Sequence, residues 1–207
     1  MNFSLTIVIV AITVLVSWRA FNDRALYDRL ILWPPAIERG KQYDRLLTHG
    51  FIHTNWMHLL FNMITLWSFG TAVEREFSGM ITPVGYLLFY LSAIVVAILP
   101  TYLRHRHDAQ YASLGASGGV SAVLFAFILF DPWSTLIIFP IPVPIPAILF
   151  AVLYVVYSIW MDRQGLGNKK NHSAHLWGAG YGLLFTVLLD PQILGRFTQS
   201  LLGSGSP

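Results

Sequence analysis

The chain has 207 residues, 55% of them hydrophobic and 11% charged, with a mean hydropathy of +0.59 and a formal net charge of +3. Soluble domains carry about 25% charged residues, so this composition excludes an ordinary soluble domain and points to a membrane protein. The small positive surplus makes no case for nucleic acid, since basic membrane loops account for the pI near 9.3. The lack of cysteine excludes disulfides and thiol catalysis.

Six stretches free of Asp, Glu, Lys and Arg approach or span the about 30 Å of a hydrocarbon core. They predict an all-α polytopic membrane protein: one domain over residues 1–207 with six transmembrane helices. The first, Met1–Trp18, lacks a basic leading region and an Ala-x-Ala-like cleavage site, so a retained helix is expected and not a removed signal peptide. A long first loop follows, about residues 19–49, with Trp33, Pro34 and Pro35 expected at the membrane interface. The second span is Thr54–Val73, the third Ile81–Leu103 and the fourth Ala112–Phe130. The fifth stretch, Pro132–Met161, is too long for one span. Its Pro140, Pro142, Pro144 and Pro146 cannot sit in a helix interior, which predicts an extended connection. Its helix should begin near Pro146 or Ala147, where proline suits a first turn, and end near Met161. The sixth span is Ser173–Leu189, and a disordered tail is expected over about residues 203–207.

If the helices alternate in direction, spans two, four and six begin on one side of the membrane. His53, His58 and Asn62, then Ser117, then His172 and His175 all fall at those beginnings. Polar side chains in a span are costly unless partnered, so they are functional candidates by default. Ser117 lies in Gly115-Ala116-Ser117-Gly118-Gly119, where glycine leaves the hydroxyl uncrowded, although such clusters also serve plain helix packing. His175 is the base that an unactivated serine needs. His175, Gly178 and Gly182 share one helix face, and a small-xxx-small stripe there allows close packing on the glycine-rich start of the fourth span, bringing His175 to Ser117. His58 and Asn62, four residues apart, share a face of the second span. With the Ser117 N–H they can donate to an oxyanion. No His-Glu-x-x-His or nearby carboxylate accompanies His49, His53 and His58, so no metal is expected. No haem is expected either, and of intramembrane carboxylates that a transporter would use, only Glu74 qualifies.

Taken together these residues resemble the rhomboid family of intramembrane serine proteases. His53-Thr-Asn-Trp-Met-His58-Leu-Leu-Phe-Asn62 looks like its second-helix motif, Gly115-Ala116-Ser117-Gly118 like its Gly-x-Ser-Gly motif, and Ala174-His175-Leu-Trp-Gly178-Ala-Gly-Tyr-Gly182 like its sixth-helix motif. The resemblance implies a six-helix bundle in which Ser117 is the nucleophile and His175 the base. His58, Asn62 and the Ser117 N–H would hold the oxyanion, with His53, Gly115, Gly118, Gly178 and Gly182 in support. Arg45 and Glu74 also stand where the family carries a loop arginine and a structural glutamate. One position departs: some members carry a tyrosine packing on the catalytic histidine four residues after the nucleophile, and here that residue is Ser121. Loss of that ring leaves His175 less firmly oriented unless another aromatic, such as Tyr111 or Trp177, fills the space.

The resemblance further implies cleavage of single-pass or polytopic membrane proteins by a Ser–His dyad, with the lipid bilayer as surroundings and no cofactor. The fifth helix and the Gly165-Leu-Gly167-Asn168 loop would act as gate and lid. The alternative is a proteolytically silent relative that binds transmembrane helices; the retained Ser117 and His175 favour the protease. The loops on the site's side hold 11 of the 13 Lys and Arg residues. The positive-inside rule would turn that side to the cytoplasm, whereas the resemblance implies a cell membrane with the site opening to the extracytoplasmic side, which is the expectation adopted.

Overall fold

The computed structural model describes residues 4–138, 141–163 and 172–203. In chain order these form α1 (Leu5–Asn22), then α2 (Arg24–Leu30), α3 (Pro34–Glu38) and α4 (Arg45–Thr48), the last running into a 3₁₀ turn at His49–Phe51. α5 (Trp56–Phe77), α6 (Pro83–His105) and α7 (Ser117–Phe130) follow. Strands β1 (Thr135–Ile138) and β2 (Ile141–Pro146) then lead to α8 (Ala147–Arg163), α9 (His172–Leu189) and α10 (Ile193–Leu201). The fold is mainly helical, as the composition predicts. Among the described residues α1 and α6 are long and apolar enough to cross a membrane by themselves, and α7 and α8 are shorter apolar helices. α5 and α9 are diluted by polar residues, among them His58, Asn62, Glu74, His172 and His175.

α7 is apolar on every side, and a helix of that kind must be enclosed. It is the central post: Gly118 through Ala126 are all buried, with α5, α6, α8, α9 and α10 packed around it. α1 lies along α5 through one stripe, Thr6, Ile9, Thr13, Ser17 and Ala20. Its N-terminal amides, which no helix can satisfy internally, are met from outside. The Glu74 carboxylate on α5 accepts from Ser4 Oγ at 2.7 Å, Leu5 N at 2.6 Å and Thr6 N at 3.0 Å. A carboxylate suits the positive end of the helix dipole.

The first loop is a folded platform. Arg45 is turned inward and 5% exposed, donating to Gln42 Oε1 at 2.7 Å, Asp28 O at 2.8 Å and Ile31 O at 2.6 Å. This ties α2 to α4. Trp33 is 42% exposed and Pro34 occupies the first turn of α3.

The proline-rich connection is extended, as predicted, and forms the second strand of an antiparallel hairpin. Thr135 pairs with Pro146, Leu136 with Ile145 and Ile137 with Pro144. α8 starts at Ala147 as expected. α10, absent from the sequence reading, buries Ile193 and receives the Trp133 Nε1 hydrogen bond at Ser200 O, 2.9 Å. The expected tail, beyond Gly203, and the Gly165–Asn168 loop lie outside the described residues.

Candidate active site

Ser117 is the first residue of α7, and the chain reaches it through a turn that only glycine makes easily. Gly115 has φ +120°, and a Cβ on it would sit 2.8 Å from the His58 ring. Both facts exclude a side chain there. The approach to the turn is anchored on the first loop: Leu32 and Ser113 exchange backbone hydrogen bonds, and Gly115 N donates to His49 O at 2.9 Å. Trp33 Nε1 donates to Ala109 O at 3.0 Å. At the start of α7 the amides of Ser117, Gly118 and Gly119 precede the first intrahelical bond, Val120 N to Ala116 O. That end of a helix is suited to hold negative charge.

His175 lies one turn into α9, with its Nε2 2.8 Å from Ser117 Oγ. The distance follows from the glycines. A Cβ on Gly178 would collide with the Gly118 carbonyl, and one on Gly182 with the Ala122 carbonyl, so α9 meets α7 backbone to backbone. On its other side α7 is also tight, since a Cβ on Gly118 would be 2.6 Å from Ala97 Cβ of α6. Ser117 and His175 are themselves only half-buried, which leaves the pair within reach of solvent or substrate.

His53 shows which way its protons face. Ser17 Oγ lies 2.9 Å from both Phe51 O and His53 Nδ1. A carbonyl only accepts, so the single hydroxyl proton goes to Phe51 and His53 Nδ1 must carry the hydrogen it gives Ser17. Nε2 is then bare, and Ala116 N donates to it at 3.4 Å. Both ends of the ring require one tautomer, and the ring links α1 to the residue preceding Ser117. Burial, with His58 nearby, holds the His53 pKa down to about 3, and burial alone holds His49 down to about 4. Both rings are neutral at pH 7.

His58 stacks edge-on against His53 at 4.9 Å between centroids, and Thr54 Oγ1 lies 3.1 Å from its Nδ1. Asn62, one turn on and 7% exposed, uses one amide hydrogen on the His58 carbonyl at 2.9 Å, and its second has no acceptor among the described residues. His58 thus reaches the Gly115 turn directly, while Asn62 faces inward on the same helix. His172 begins α9, its ring edge-on to His175 at 5.7 Å and to Tyr157 at 5.5 Å.

The ring beside His175 is neither Tyr111 nor Trp177. Tyr111 stacks on His105 at 4.0 Å, and Trp177 is 53% exposed on the outer side of α9. The ring that lies on His175 belongs to Tyr154 of α8, with centroids 5.9 Å apart and planes 23° apart, and its hydroxyl is 2.7 Å from Ser121 Oγ. Sequence reasoning missed Tyr154 and Ser17 because each acts from a different helix. The signal available was spacing: Ala147, Ala151, Tyr154 and Ser158 mark the inner face of α8.

Residues 40–192 match the Rhomboid domain family. This chain belongs to the rhomboid family. Membership makes it a membrane protein, as its composition says. The rhomboid chain is 31% identical over 186 residues to RHOMBOID-like protein 12, mitochondrial, of Arabidopsis thaliana, a match covering 84% of this chain and 54% of that protein. It is 28% identical over 192 residues to the Rhomboid protease GlpG of Enterobacter sp. (strain 638), covering 87% and 60%. It thus spans between half and two thirds of the length of these curated relatives. One of them is named as mitochondrial, so the rhomboid assignment supports a membrane without supporting the cell membrane in particular.

Proposed function

We propose that this rhomboid chain is an intramembrane serine endopeptidase whose bundle crosses the membrane six times, through α1, α5, α6, α7, α8 and α9. The observation that carries the reading is the 2.8 Å approach of His175 Nε2 to Ser117 Oγ, within hydrogen-bond reach for proton transfer. Ser117 attacks a peptide carbonyl of a membrane-protein substrate while His175 takes its proton and returns it to the leaving amine. The Ser117 N–H at the start of α7, the His58 ring and the second hydrogen of Asn62 receive the negative oxygen, each such donor being worth roughly 3 to 4 kcal/mol. A helical substrate hides its carbonyls in internal hydrogen bonds, so it unwinds locally before attack, and helix-breaking residues near the scissile bond favour cleavage.

The site is proposed to open to the extracytoplasmic side, and Arg104→Cys, at the end of α6 nearest the site, is then labelled from outside intact cells. The primary test is cleavage of a model transmembrane substrate by purified protein in detergent or liposomes. Wild type cuts, and Ser117→Ala and His175→Ala each lose at least about a thousandfold in kcat. Variants that cut as well as wild type overturn the assignment. A wild type that cuts none of several substrates favours the silent, helix-binding alternative.

A further inference from the structure

Tyr154 is held at both ends. Its face lies on the His175 imidazole, its hydroxyl meets Ser121 Oγ at 2.7 Å, and Phe125 and Phe150 close around the ring at 5.8 Å and 5.7 Å between centroids. A phenol pinned at its tip and walled on its flanks has no rotamer freedom left. The imidazole stacked on a fixed flat surface therefore loses its rotation about χ2. Plain core filling would need only the ring, and a phenylalanine would supply it without a buried hydroxyl to satisfy. The hydroxyl partner on α7 marks the position as an aimed one.

We propose that Tyr154 is the positioning residue of His175, locked by Ser121, so that the base is oriented from α8, a helix bearing neither nucleophile nor base. Its catalytic consequence rests on the protease reading; its geometry does not. The seam of α7 and α9 fixes how far His175 stands from Ser117, and α8 fixes how the imidazole is turned. The two are supplied by walls of unequal firmness. α8 turns Ala147, Ala151 and Ser158 fully inward with Ile148, Phe150 and Val155 half-buried beside them, and the buried Ser158 hydroxyl has no hydrogen-bond partner among the described residues. Its outward side, with Leu149, Val152, Leu153, Val156 and Trp160, is exposed. α8 meets α7 over a much shorter seam than α9 does, and the less tightly packed helix is the one that opens first. Displacing α8 withdraws the ring from the imidazole, so the seating of α8 and the orientation of His175 are coupled.

The test compares Tyr154→Leu, which keeps an apolar side chain and loses the ring, with Tyr154→Phe, Ser121→Ala and the exchange Tyr154→Leu/Ser121→Tyr, all in the full chain purified in detergent. Two quantities are measured: kcat and KM on a transmembrane substrate, and the His175 Cε1–H resonance, which a stacked ring shifts upfield. Tyr154→Leu is expected to lower kcat by about ten- to a hundredfold with KM within about twofold, and to move the resonance downfield. Tyr154→Phe and Ser121→Ala each lower kcat by about threefold, and together no further, because they remove one bond. The exchange restores part of kcat. An unchanged kcat in Tyr154→Leu, or an unmoved resonance, overturns the proposal. If wild type itself cuts nothing, the protease reading falls, and the resonance alone decides: a shift in Tyr154→Leu that is absent from Tyr154→Phe sustains the positioning, and no shift overturns it.

Discussion

α8 and α9 both lean on α7, and they do so by opposite means. α9 comes in backbone to backbone, where Gly178 and Gly182 leave no room for a Cβ against the Gly118 and Ala122 carbonyls. α8 comes in through Ala147, Ala151, Tyr154 and a buried Ser158 hydroxyl with no partner among the described residues. Close backbone contact gives many dispersion contacts per unit length and no rotamers to adjust, so it sets a distance. Contact through side chains, the Tyr154 ring among them, sets an angle and can be undone. The proposed dyad is built on the first kind of contact, and its proposed positioning residue, Tyr154, on the second.

The largest effect should come from breaking the firm side. Gly182→Val puts two methyl groups where the Ala122 carbonyl stands. It should cost about 3 kcal/mol or more in thermal unfolding in detergent and abolish labelling of Ser117 by a fluorophosphonate. The matching enlargement on α8, Ala151→Val, should cost about 1 kcal/mol. Equal losses at the two positions would erase the distinction between the helices.

Acid attacks the platform on which the firm side rests. His49, whose carbonyl receives Gly115 N, titrates near 4 when folded and near 6.5 when unfolded. As pH falls the unfolded chain takes the proton first, so stability is intact above about 6.5. It is lost progressively toward 4, by about 3 kcal/mol for this residue. Unfolding midpoints between pH 7 and pH 4 measure it, and His49→Leu should shrink the acid loss to the share left by His53.

Ser17→Ala removes the acceptor that fixes the His53 tautomer. The expected cost is about 1 to 2 kcal/mol in stability and a fall in kcat, since the loosened element is the residue before Ser117. A loss of stability with kcat intact would show that the firm side tolerates this break. The smallest effect is a gain. Ser158→Ala deletes a buried hydroxyl with no partner among the described residues and should raise stability by about 1 kcal/mol, seating α8 more firmly.

Most of the helical layout is legible in the sequence because membrane composition leaves polar residues conspicuous. His58, Asn62, Ser117 and His175 stand out as expensive residues at helix starts, and Gly178 and Gly182 predict the close seam. The proline run announces an extended segment because each proline excludes a helix interior. What could not be read depends on which helices become neighbours. Ser17 is one more hydroxyl on an apolar helix until α1 is laid against the chain before α5. Tyr154 is one aromatic among many until α8 is turned so that its Ala and Ser positions face α7. Arg45, by its charge alone, looks like a residue for the headgroups, yet its guanidinium finds loop carbonyls that only the folded platform collects. α10 was missed because Ile193–Leu201 is short and mixed in polarity, with too little apolar surface to resemble a span.

The hairpin between α7 and α8 has a consequence for association between chains. In an antiparallel strand alternate residues direct their N–H groups to opposite edges, and in β2 every second residue is proline, including Pro144 and Pro146. One edge is therefore stripped of donors. Since the pairing with β1 needs the donors that remain, the stripped edge is the outer one. A lone hairpin ordinarily invites a third strand from a neighbouring molecule; this one offers carbonyls without amides and cannot complete a ladder. Copies of this chain can crowd in a membrane without zipping together along β2.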